Sequence, residues 1–92
     1  MTETTDIRRK RLLYQATYRG FKEADLLIGG FAKAHIAEMS EEDLDEFEAL
    51  LKINDRELYA YATGNAEPPE GCSNSILEAL KLFDLAENKS EA

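Results

Sequence analysis

The sequence has no tryptophan, one cysteine, one histidine and two prolines in 92 residues, and its 11 Lys and Arg are outnumbered by 19 Asp and Glu. Each scarcity removes a class of protein. A lone Cys72 cannot form an intramolecular disulfide or build a cysteine-ligated metal site. With no base near it in sequence to activate the thiol, it reads as a small loop residue. The single His35 falls on an apolar helical stripe with Ile28 and Phe31, which marks a partly buried packing imidazole rather than a ligand or base. No apolar run is long enough to cross a bilayer. No secretory leader is visible either, because Arg8-Arg9-Lys10-Arg11 leads into only Leu12-Leu13 before polar residues resume. A net charge of -8 opposes a sequence-independent grip on nucleic-acid phosphates. Gly29-Gly30 follows no strand pattern and lacks a third glycine in register, so no flavin- or dinucleotide-binding motif is present. Without a converging nucleophile, base and charge stabiliser, the chain is not expected to be an enzyme.

What remains is an all-α pattern. Hydrophobic content of 43% and charged content of 33% describe one small globular domain over residues 1–92, with residues 1–5 and 88–92 frayed. A first helix is expected from Thr5 or Asp6 to between Thr17 and Gly20, burying Ile7, Arg11, Tyr14 and Tyr18 at helical spacing, with Leu13 and Ala16 widening that face. A second starts near Gly20 and carries Phe21, Ala24, Leu27, Ile28, Phe31, Ala34 and His35 inward. Gly29-Gly30 within it predicts either a bend or a close helix approach. Ser40 and Asp43 have capping-box spacing before Leu44, Phe47, Leu50 and Leu51, and Asn54 with Glu57 repeats that logic before Leu58, Tyr61 and Ala62. Gly64 ends this fourth helix, and Pro68-Pro69 forbids its continuation. Ser73 or Ser75 is expected to cap a last helix carrying Ile76, Leu77, Leu80 and Phe83. Five short helices with short connections predict a compact bundle.

Within it, Tyr18-Arg19-Gly20-Phe21-Lys22-Glu23-Ala24-Asp25-Leu26-Leu27 has the character of a docking surface. At helical spacing Arg19 and Glu23 stand one turn apart, and Gly20 offers bare backbone. From spacing alone the two charges are only an intrahelical pair. Read together with Leu26 to Phe31, Leu44, Phe47 to Leu51, Asp55 and Glu57-Leu58-Tyr59, the chain resembles the succinate dehydrogenase assembly factor family, from about Asp6 to about Leu85.

That resemblance implies an all-helical assembly chaperone that promotes covalent attachment of FAD to the flavoprotein subunit of succinate dehydrogenase, with the flavoprotein of fumarate reductase as a further candidate partner. The flavin ends on the partner, and the chaperone itself holds no cofactor tightly. It implies partner contact at Arg19, Gly20 and Glu23, which match the family's Arg-Gly-x-x-Glu surface, and at Asp25, which matches an acid found two places later. Tyr18 stands where a second arginine often precedes the motif, and Ala24 where leucine is frequent. The expected location is the cytoplasm, or the mitochondrial matrix in a eukaryote. On this reading a bulky residue at Gly20 blocks docking and spares the fold, and alanine at Arg19 or Glu23 spares stability. A different class remains open from the residues alone: a small acidic antitoxin or regulatory adaptor working through the acid-rich third helix, within the acid-dense stretch Glu38 to Glu48. A helix-turn-helix binder using Arg8 to Arg11 is opposed by the net charge.

Overall fold

The computed structural model describes residues 3–71 and 74–89, so the roles expected of Cys72 and Ser73 lie outside the described residues. Five α-helices and one short 3-10 turn make up the regular structure, with no strand among the described residues. They are α1 (Thr5–Thr17), α2 (Lys22–His35), the 3-10 turn Ile36–Glu38, α3 (Glu41–Leu51), α4 (Asp55–Thr63) and α5 (Ser75–Lys89).

Local chemistry sets most of the boundaries. Thr4 accepts from the Ile7 N–H at 3.2 Å and starts α1. Ser40 and Asp43 form a complete capping box at α3, the hydroxyl accepting from Asp43 N–H and the carboxylate from Ser40 N–H. The Asn54 carboxamide oxygen accepts from the amides of Arg56 and Glu57, and Gly64 ends α4 in the left-handed region at φ 81°. At α5 the cap is Asn74, which accepts from Leu77 N–H at 2.9 Å. Ser75, expected to cap, is instead the first helical residue and donates its hydroxyl to Glu46.

Phe31 of α2 sits at the centre of the core, meeting Phe47 of α3 and Phe83 of α5 edge-on at ring separations of 5.9 and 5.7 Å. Leu12, Ile28, Leu44, Leu50, Leu58, Leu77 and Leu80 fill the space around it. Helix α1 packs on α2 and α3, and α5 closes the other side against α2, α3 and α4. Of the two outcomes expected at Gly29-Gly30, the close approach is realised: α2 runs unbroken, and a Cβ at Gly29 would stand 3.0 Å from the Thr17 Cα of α1. Ala34 and His35, expected inside, are exposed near the end of α2, although the imidazole still lies against Phe31 and Phe83.

The face of α1 differs most from expectation. Tyr14 and Tyr18 are each 67% exposed, and Ile7 also faces solvent, while Leu12 and Ala16 are the residues buried. The helix has turned its arginines toward the protein. Arg8, with 17% of its side chain exposed, reaches Asp45 at 2.7 Å, Glu48 at 2.9 Å and Glu41 at 3.4 Å on α3. Arg11 joins Glu48 at 3.1 Å and Glu3 at 2.8 Å. Arg9 donates to the carbonyls of Ile36 and Met39. Arginine can lay its aliphatic stem on apolar surface while its guanidinium reaches an acceptor, and tyrosine tolerates water at its hydroxyl end. Of the expected face, Ala16, Leu13 and Arg11 do turn toward the protein, and Ile7, Tyr14 and Tyr18 do not.

Candidate functional site

The basic run and the acid run, which separately suggested a nucleic-acid binder and an acidic adaptor, answer each other. Hydrogen bonds from Arg11, then from Arg8, hold the Glu48 carboxyl below its ordinary range, against the opposing effect of burial. Glu3 is lowered by its hydrogen bonds from Arg11. The partners move the other way, Arg8 raised first by Asp45 and Arg11 raised first by Glu3. Glu41 and Asp45, one turn apart on α3, both pair with Arg8. These charges close α1 onto α3.

The connection between α1 and α2 is the other concentration of polar chemistry. Tyr18 caps α1, its N–H bonded to the Tyr14 carbonyl, and Phe21 precedes α2 in extended conformation. Between them stand Arg19 and Gly20, so the two residues occupy a turn and not the helix that spacing suggested. Gly20 has φ 133°, a backbone that side chains disfavour. Asp25, one turn into α2, folds back to accept from the N–H of Arg19 at 2.5 Å and from that of Gly20 at 3.2 Å, which fixes the turn from within.

The Arg19 side chain is only 7% exposed. Its Nη1 donates at 2.7 Å to the Leu51 carbonyl, which the end of α3 leaves without a helical partner, and its Nη2 at 2.7 Å to the Ile53 carbonyl in the connection that follows. The same Nη2 meets the Asp55 carboxylate at 2.9 Å, at the start of α4. Arg19 thus ties the α1–α2 turn to the α3–α4 connection, and its charge partner is Asp55, not Glu23. Alanine at Arg19, expected from the sequence to spare stability, would take the donor from three acceptors. Asp55 also bounds Gly20: a Cβ there would stand 2.6 Å from Asp55 Oδ2. A bulky residue at Gly20 therefore strains the fold as well as covering the turn, contrary to the expectation that it leaves the fold intact.

Glu23 is exposed in the first turn of α2 and makes no ion pair among the described residues. It lines an open cleft of about 500 Å³ with Phe21, Arg56 and Tyr59. The structure therefore brings Arg19, Gly20 and Asp25 into one bonded turn and leaves Glu23 beside it, facing solvent. Asp55, Arg56 and Tyr59 were not among the residues expected to matter at the site. Asp55 and Tyr59 are part of the pattern that carries the family resemblance, but nothing in their spacing connects them to Arg19 or Glu23.

The α1–α2 turn of this small helical protein thus presents glycine backbone and, beside it, an uncommitted carboxylate at the border of an open aromatic-lined cleft. Over residues 10–84 the chain matches the family model described as flavinator of succinate dehydrogenase. It belongs to that family. Among its relatives are proteins named succinate dehydrogenase assembly factor 2, mitochondrial. That of Candida glabrata is 43% identical over 94 residues, covering 99% of this chain and 61% of the relative. That of Saccharomyces cerevisiae is 38% identical over 93 residues, covering 97% and 56%. The Lodderomyces elongisporus protein is 46% identical over 83 residues, covering 86% and 51%. The chain thus spans between half and two thirds of the length of these relatives.

Proposed function

We propose that this protein is a non-catalytic assembly chaperone that binds the flavoprotein subunit of succinate dehydrogenase while FAD becomes covalently attached to that subunit. The flavoprotein of fumarate reductase is a second client on the same reading. What supports it is the coincidence of family membership with geometry: the motif residues Arg19, Gly20 and Asp25 are gathered in one rigid turn, with Glu23 at its edge. In this division of labour the backbone at Gly20 and the Glu23 carboxylate meet the partner, and Arg19 and Asp25 hold the turn in shape. Such a helper acts by keeping a mobile part of the client in the arrangement that brings flavin and attachment site together, a proximity effect that needs no acid or base of its own. FAD resides on the client, and the chaperone carries none tightly. The word mitochondrial in the relatives' names supports the matrix, where the cell is eukaryotic, over the cytoplasm.

Expressing the flavoprotein subunit with and without this protein, and following flavin fluorescence in a denaturing gel, tests the reading. Covalent fluorescence should rise when the protein is present. Equal labelling in both cultures would remove the function.

A further inference from the structure

Arg8, Arg9, Arg11 and Arg19 each pair with a carboxylate, whereas Arg56 has none among the described residues. Its guanidinium lies instead over the Phe21 ring, 5.0 Å from the centroid. That ring meets Tyr59 edge-on at 5.4 Å, and the two aromatics line the cleft that Arg56 shares with Glu23. Two opposite charges therefore border one aromatic-lined opening, and neither forms an ion pair among the described residues.

We propose that this cleft seats an extended segment of the flavoprotein, with an acidic side chain of that segment bonded to Arg56 and a basic one bonded to Glu23. The inference rests on the docking reading of the neighbouring turn and adds Arg56 and Tyr59 to it. Charge complementarity identifies the occupant: a planar guanidinium held against a ring is oriented for a two-pronged carboxylate contact, and the ordering of its side chain is already partly done before binding. The Phe21 and Tyr59 rings that line the cleft give the segment's aliphatic stems an apolar wall. Arg19 enters as a positioning residue. By holding Asp55, the residue before Arg56, it sets where α4 begins, and so where Arg56 stands relative to Glu23.

The test is calorimetric titration of the full chain into the apo flavoprotein subunit, with thermal melts of each variant alone. Arg56→Glu should weaken binding by about tenfold or more. Its melting temperature should hold, because an acid in the first turn of α4 suits the helix dipole. Arg56→Lys, which keeps the charge and loses the fork, should fall between the two. The salt dependence of affinity should be shallower for Arg56→Glu than for the unaltered chain. Unaltered affinity in Arg56→Glu alongside weakened binding in Glu23→Ala would overturn the cleft while leaving the docking turn standing. An unaltered chain that fails to bind the flavoprotein at all would overturn the docking reading, and the cleft with it.

Discussion

The Arg19 guanidinium meets the Asp55 carboxylate at 2.9 Å across the gap between two helix connections, so the shape of the α1–α2 turn depends on where α4 starts. A motif whose first residue is an arginine is easily taken for a pair of exposed charges. Here the arginine faces inward, and in the proposed function the surface offered to a partner is what that arginine holds in place.

Arg19→Ala should therefore destabilise the protein by about 2–3 kcal/mol, since two backbone carbonyls and a carboxylate lose a charged donor together. Urea denaturation measures this directly. Arg19→Lys should recover only part of the loss, because one ammonium cannot reproduce a fork that serves Leu51, Ile53 and Asp55. Stability equal to that of the unaltered chain in Arg19→Ala would return Arg19 to a role on the partner.

Gly20→Ala should cost about 1–3 kcal/mol, combining an unfavourable backbone conformation with displacement of Asp55 from Arg19. The same denaturation series reports it. Gly64→Ala, at φ 81° with open space around it, offers the control: strain from the backbone without a displaced neighbour, and a smaller loss.

The two adjacent glycines of α2 should respond with opposite sign. A methyl at Gly29 meets the Thr17 backbone at 3.0 Å, which cannot yield as a side-chain tip can, so Gly29→Ala should lower stability by about 1–3 kcal/mol. At Gly30 the new methyl meets only the Phe83 ring at 3.7 and 3.8 Å, an ordinary contact. Gly30→Ala should thus raise stability by about 0.5–1 kcal/mol through helix propensity. Paired melting curves decide both.

Acid should loosen the tie between α1 and α3. Glu48 and Glu3 have carboxyls lowered from 4.5 by their arginine partners, so the folded state holds fewer protons than the unfolded chain as pH falls toward that value. Their contribution is complete above the unfolded carboxyl range and is lost as pH drops through the lower, folded value. The melting temperature should decline below about pH 4.5, and Glu48→Gln should start lower at neutral pH and decline less steeply. Parallel curves for the two proteins would show that Glu48 does not carry the linkage.

Much of the fold could be read from local residues. The number of helices, the capping box at Ser40, the stop at Gly64 and the break at Pro68-Pro69 depend on contacts within a few positions along the chain, and the structure reproduces them. Family membership was equally legible, because an ordered set of motifs along a sequence requires no geometry to recognise. The α1 face was not. Whether Ile7, Tyr14 and Tyr18 or Arg8 and Leu12 turn inward depends on Asp45 and Glu48 on α3, which supply partners for a half-buried cation.

The candidate site divides along the same line. The sequence by itself determined which residues form the motif and that glycine stands at its centre. Only the tertiary structure decided that Arg19 serves Leu51, Ile53 and Asp55, that Asp25 serves the turn, and that Glu23 shares its cleft with Arg56. The physical reason is range. Helix propensity and capping act between near neighbours in the chain, but a guanidinium takes whichever acceptors the packing of distant helices brings within reach.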